Sequence, residues 1–189
     1  MKTLIRFGLI ALLAPILFRA GDVAISSVSE KLHELGELGG SDERDGRAVR
    51  VVAVVDGDTL KVKLGVKDVY VRLIGIDTPE VVRPGVPQEC GGPQASASMR
   101  SLVSPGYEVE LIRDRSQDDR DRYGRLLRYA ELDGTDLARE QVARGWAEVY
   151  VYDSNPYARL GAFKKASAGA RDHGRGVWDA CGGDFHSGS

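Results

Sequence analysis

The chain has 189 residues, 42% of them hydrophobic and 29% charged, an ordinary balance for one soluble globular domain and too short for two sizeable ones. The formal net charge of −2 would argue against a nucleic-acid partner if it were evenly spread. It is not: residues 21–45 hold seven acids against two bases, whereas residues 46–189 hold 21 charges of each sign.

At the N-terminus, Lys2 and Arg6 precede an apolar run over 7–18, interrupted by Pro15. A basic n-region followed by an h-region of this length reads as an export signal over 1–24, and the run is too short for a comfortable membrane span. Phe18 and Asp22 stand where a cleavage site wants small residues, so both a cleaved signal and an uncleaved anchor stay open. Residues 25–46 are acidic and glycine-bearing, the composition of a flexible tether. The folded domain is expected over 47–179, with a loose tail over 180–189.

Within the domain, Val51, Val52, Val54 and Val55 lead into Asp56-Gly57-Asp58-Thr59, and Leu60, Val62 and Leu64 alternate on the way out. That is a strand, tight turn and strand. A third strand is expected over 69–76, which sets Asp58 at the mouth of a turn and Asp77 just past a strand end, where two carboxylates can meet at one rim. Pro93 opens a helix that Pro105-Gly106 stops, a fourth strand covers 107–112, and a fifth covers 126–132. Between those strands, residues 113–125 are too charged for core. A second helix is expected over 136–144 before Gly145, and a third from Asn155-Pro156 to His173-Gly174, with Trp178 packing back on the core. Five strands with a helix inserted after the third is the order of an α+β domain built on a five-stranded Greek-key barrel of the OB type, with three helices.

Cys90 and Cys181 form an isolated pair, and His33, His173 and His186 are scattered along the chain. In an exported protein such a pair reads as one disulfide. Closing a loop of about 90 residues would contribute roughly 4 kcal/mol on the chain-entropy account.

Asp58, Asp77 and the main chain at Thr78 offer hard oxygen ligands without sulfur or imidazole, a set suited to calcium or magnesium. Glu80 is near enough to hold a water, and Arg72 and Arg125 can grip phosphate oxygens with planar guanidinium groups. Together these residues describe metal-assisted phosphodiester hydrolysis. One geometric demand follows. On an ideal strand Arg72 and Asp77 point to opposite faces, so they share a site only if the chain bends between them, and Gly75 is the residue that permits it.

The runs Asp56-Gly-Asp-Thr59, Arg72-Leu-Ile-Gly-Ile-Asp-Thr-Pro-Glu80 and Asp121-Arg-Tyr-Gly-Arg125, in that order, resemble the staphylococcal nuclease (thermonuclease) family over roughly residues 47–179. The resemblance implies an OB barrel and a calcium-dependent, sugar-nonspecific nuclease acting on DNA and RNA. By motif position it implies that Asp58 and Asp77 supply carboxylates and Thr78 a carbonyl to Ca2+, that Arg72, Glu80 and Arg125 are catalytic, and that Tyr123 with Tyr150 or Tyr152 lines a nucleotide pocket suited to single strands. A secreted monomer without an obligate protein partner, tethered to a membrane only if its N-terminal segment is retained, is the expected form. Two departures stand out: the cysteine pair is additional, and the domain is neutral where the type member is basic. The rival class is a non-catalytic OB module that binds nucleic acid or protein, and it predicts losses among Asp58, Arg72, Asp77, Glu80 and Arg125; all five are present.

Overall fold

The computed structural model describes residues 42–81 and 88–186. The expected export signal, most of the tether and the last three residues lie outside the described residues. The strands are β1 (Asp42–Val54), β2 (Thr59–Leu64), β3 (Lys67–Leu73), β4 (Ile76–Asp77), β5 (Glu108–Asp114), β6 (Leu126–Leu132), β7 (Thr135–Asp136) and β8 (Glu148–Val149). The helices, labelled here in chain order, are α1 (Gly92–Leu102), α2 (Leu137–Ala143), α3 (Leu160–Asp172) and the short α4 (Val177–Ala180).

β1, β2 and β3 make an antiparallel meander in which Val51 faces Val62 and Leu60 faces Val71. β5 pairs with the other edge of β1, and β6 pairs with β5. β6 then runs parallel to β3, with Leu127 opposite Arg72, and closes the five strands into a barrel. A register shift between Val51 and Ala53 bends β1 so that one strand serves both neighbours. β1 begins at Asp42, before the expected domain start near Arg47, because its first residues pair with the end of β5.

The alternating apolar residues fill the barrel. Val62, Val71, Leu73, Ile112 and Tyr129 are at most 1% exposed, and Leu137 of α2 and Phe163 of α3 cover one end. α1 carries Pro93 at its start, as the favoured position of proline predicts, and α2 is capped by the Asp136 carboxylate, which accepts from the Arg139 N–H at 3.0 Å. The third helix starts at Leu160, later than Asn155-Pro156 predicts. Residues 155–158 are engaged otherwise: the Asn155 side-chain amide donates to Ser116 O at 2.8 Å, Ala158 N–H donates to Asp114 Oδ2 at 2.7 Å, and the buried Tyr157 hydroxyl donates to Gly75 O at 3.0 Å.

Two further expectations need correction. The charged segment over 113–125 contains a core residue, Asp114, which has no exposed surface because Tyr129, Ser116 and Ala158 all donate to its carboxylate. Nor is the tail loose as far as it is described. A disulfide joins Cys90 to Cys181, and Phe185 is only 4% exposed, packed edge-on against Trp178 at 5.4 Å between ring centroids. Trp178 thus packs on the tail it helps to hold. No helix of the described residues is long and apolar enough to cross a membrane.

The third strand also ends sooner than expected, at Leu73, and the chain bends before β4. Gly75 sits at the bend with φ +83°, in the left-handed region, and its carbonyl accepts from Tyr150 N–H and from the Tyr157 hydroxyl, both at 3.0 Å. A Cβ at this position would lie 2.4 Å from the Tyr157 ring. Gly75→Ala should therefore cost about 2–5 kcal/mol from backbone strain and collision together. Denaturant unfolding checks this, and wild-type stability would contradict it.

For Asp114, burial raises the carboxylate's pKa, but the Tyr129, Ala158 and Ser116 donors outweigh it and leave the pKa below the ordinary value. Its stabilisation is then present above the unfolded pKa of about 3.9 and lost as pH falls below that value and through the lower folded pKa. Asp114→Asn should cost about 2–3 kcal/mol at neutral pH, with the gap from wild type narrowing in acid. A gap that stays constant down to pH 3 would show that the charge is not what stabilises.

Candidate active site

The site begins with the turn between β1 and β2. Val55 N–H donates to Thr59 O at 2.9 Å to close the turn, and Asp58 N–H donates to Asp56 Oδ1 at 3.2 Å. The turn is fixed from behind by the fully buried Gln141 of α2, whose amide donates to Gly57 O at 3.0 Å and to Ala95 O of α1 at 2.9 Å. Gly57 lies so close to Thr78 that a Cβ would stand 2.8 Å from its hydroxyl oxygen. Thr78 in turn donates its N–H and its hydroxyl to Asp58 Oδ2, at 3.2 and 3.0 Å. These contacts join the first turn to the segment after the Gly75 bend.

Arg72 bridges the two acids. One terminal nitrogen lies 2.7 Å from Asp77 Oδ1 and 3.3 Å from Asp58 Oδ2, while the other donates to Ile76 O at 2.6 Å and Leu73 O at 3.0 Å. The bend thus brings together the residues that an ideal strand would separate. The balance of charge in the cluster is nevertheless negative. Burial, reinforced by Asp58, pushes the Asp77 carboxyl up to about 6 against the lowering pull of Arg72, and burial followed by the Asp58 charge pushes Asp56 up to about 6. Two acids held against ionisation around hard oxygen donors form an environment that a bound divalent cation would relieve.

On the far side, Arg125 donates through Nε to Asp121 Oδ2 at 2.6 Å and through a terminal nitrogen to Thr59 Oγ1 at 3.3 Å, and Thr59 Oγ1 donates to Asp58 Oδ1 at 2.9 Å. Arg125 therefore reaches the acids through one hydroxyl. Tyr123 is 69% exposed, with the guanidinium groups of Arg122 and Arg125 over its ring at 4.8 and 5.4 Å. A groove of about 300 Å³ runs past Lys67, Tyr70, Arg120, Tyr123 and Arg125. Tyr150 and Tyr152 are also exposed, and with Tyr123, which has the largest effect, both raise the pKa of Arg122.

Glu80 is placed by main chain. Its N–H donates to Glu89 Oε2 at 2.7 Å, Glu89 N–H donates back to Glu80 O at 2.9 Å, and Gly92 admits this approach, because a Cβ there would lie 2.3 Å from Glu80 O. Among the predicted residues, Asp58, Arg72, Asp77 and Thr78 are in direct contact and Arg125 is one hydroxyl away. Glu80 follows two residues after Thr78, Tyr123 stands against Arg125, and Tyr150 is tied through its N–H to the Gly75 carbonyl at the bend.

Sequence reasoning missed Glu89, Glu148 and His186. Antiparallel pairing of β4 with β8 sets Glu148 opposite Asp77, and the disulfide-held tail brings His186 Nε2 to 2.8 Å from Glu148 Oε1 and 4.0 Å from Asp77 Oδ2. The hydrogen bond that His186 makes to the Glu148 carboxylate raises the His186 pKa, helped by the charges of Glu148, Glu89 and Asp77 against a smaller lowering by burial. The signal available beforehand was the cysteine pair, which carries the tail to the loop after Glu80.

Comparison with known proteins bears on the same residues. A family model described as "Staphylococcal nuclease homologue" matches residues 70–180, which include the Gly75 bend, Arg72, Asp77, Glu80 and Arg125 and leave the Asp56–Thr59 turn just outside. The chain is 31% identical over 141 residues to the thermonuclease of Staphylococcus hyicus, covering 74% of this chain and 80% of that protein. It is 33% identical over 135 residues to the thermonuclease of Staphylococcus intermedius, covering 71% and 77%. It is also 37% identical over 125 residues to the SPbeta prophage-derived endonuclease YokF of Bacillus subtilis (strain 168), covering 66% of this chain but only 41% of that protein. With an OB barrel, the conjunction of motifs on one rim and these matches, the chain belongs to the staphylococcal nuclease family, a family of nuclease hydrolases.

Proposed function

We propose that the protein is a calcium-dependent, sugar-nonspecific nuclease that hydrolyses phosphodiester bonds in DNA and RNA, with single strands preferred. The observation that carries this reading is the convergence of Asp58, Arg72 and Asp77 on one rim across the Gly75 bend, with Arg125 joined to it through Thr59.

Asp58, Asp77 and the Thr78 carbonyl would hold the calcium ion, and the raised carboxyls of Asp77 and Asp56 support a cation in that place. Bound calcium supplies Lewis-acid polarisation of a phosphoryl oxygen. The remaining work falls to the chain. Arg72 and Arg125 present guanidinium groups to the phosphate, and the charge that grows on its oxygens in the transition state strengthens those contacts more than it strengthens ground-state binding. Their carboxylate partners Asp77 and Asp121 keep the side chains extended toward the site. Glu80, two residues after Thr78 and held through its N–H by Glu89, would orient the attacking water and take its proton as the phosphorus–oxygen ester bond breaks and its alkoxide leaves, to be protonated by solvent. Tyr123, Tyr150 and Tyr152 offer exposed ring faces for stacking unpaired bases.

Because the domain carries no net positive charge, affinity rests on these few contacts, and substrate binding should have a shallow salt dependence. Export through the N-terminal segment, with release or anchoring as a monomer, fits the disulfide, since such bonds persist in oxidising compartments.

Purified Arg125→Ala, Arg72→Ala and Glu80→Ala should each lower kcat on single-stranded DNA by about 100-fold or more while melting as folded proteins. Arg125→Ala is the cleanest of the three because no metal carboxylate loses its direct partner. Wild-type turnover in that variant would contradict the assignment.

A further inference from the structure

The acids and arginines of the proposed nuclease site leave Glu148 and His186 unused. Asp77 Oδ2, Glu148 Oε1 and His186 Nε2 come from β4, β8 and the C-terminal tail, and all three atoms lie within 4.8 Å of one another. The 2.8 Å contact between His186 and Glu148 is by itself an ordinary hydrogen bond. What sets the cluster apart is the other face of the imidazole, where Nδ1 lies 3.5 Å from Glu89 Oε2, an oxygen already held by the Glu80 N–H. A carboxylate behind one ring nitrogen of a histidine whose other nitrogen faces two more carboxylates is the arrangement that orients metal-bound histidines.

The support behind His186 is also built. Its N–H donates to Asp184 Oδ1 at 3.0 Å, Phe185 beside it is buried against Trp178, and the tail is joined covalently at Cys181 to Cys90, the neighbour of Glu89. One crosslink therefore delivers both the imidazole and the carboxylate behind it.

We infer that Asp77, Glu148 and His186 form a second cation site, distinct from the calcium carboxylates although it shares Asp77, and that its occupant is a divalent transition metal of the zinc class. One imidazole and two carboxylates suit zinc, cobalt or manganese, whereas calcium prefers oxygen donors alone. Three protein ligands on a half-exposed rim leave a position for water. Asp77 links the two sites, so each cation alters the affinity for the other by the same factor.

The test is equilibrium dialysis of the disulfide-intact protein against Zn2+, with calcium in excess and no nucleic acid, so its outcome is separate from that of the nuclease reading. Co2+ serves as a spectroscopic substitute, reporting nitrogen and oxygen ligation through its visible bands. One equivalent of Zn2+ is expected, with affinity lowered at least about 100-fold in His186→Ala and Glu148→Gln. Glu89→Gln, which keeps an acceptor for Glu80 N–H but removes the charge behind the ring, should lose about 10–100-fold. His33→Ala and His173→Ala should bind as wild type does. Absence of Zn2+ binding by the wild-type protein, or unchanged affinity in His186→Ala, would overturn the inference; His186 is half-exposed, so its replacement does not threaten the fold.

Discussion

The Arg72 guanidinium between Asp58 and Asp77 is the interaction on which the rest of the site depends. Asp58 belongs to the turn between the first two strands, Arg72 to the end of the third, and Asp77 to the short strand beyond the bend. Each is held by something other than the ion pairs: Gln141 and Thr78 fix the turn, parallel pairing with β6 fixes Arg72, and pairing with β8 fixes Asp77. The bend at Gly75 is what lets these supports converge. The Tyr157 hydroxyl and the Tyr150 N–H lock its carbonyl, one from a side chain and one from the main chain.

That arrangement explains how a neutral domain can be suited to an anionic substrate. The arginines at the rim are paired, Arg72 with Asp77 and Arg125 with Asp121, and the Asp77 carboxyl is raised by burial despite Arg72 beside it. The site is thus short of positive charge in its own side chains, a deficit that a bound divalent cation would make good. The disulfide adds a feature beside the same rim by carrying His186 to Glu148 and Asp77.

Much of this was legible in the chain. Alternation at Leu60, Val62 and Leu64 and the acidic turn before them located the first hairpin, and the five-residue spacing of Arg72 and Asp77 demanded the bend that Gly75 makes. Proline and glycine punctuation located α1 and the end of α2. Long-range, non-periodic pairings were hidden. β4 and β8 are two residues each, too short for any alternation to register, so Glu148 could not be set opposite Asp77 in advance. Asn155-Pro156 carried a helix-start signal, but Asp114 and Ser116 claimed the local donors, and Asp114 itself looked solvated because its partners Tyr129 and Ala158 are remote in sequence. His186 depended on a crosslink whose consequence is spatial.

The most direct measurement of the central claim is cleavage of single-stranded DNA by the purified wild-type protein as free calcium is titrated from excess chelator upward. Turnover that is absent under chelation, rises with calcium to saturation, and fails to appear in Asp77→Asn at the same calcium is the predicted result. Full turnover in excess chelator would contradict the account of Asp58, Asp77 and Arg72 as a cation-dependent phosphodiesterase centre.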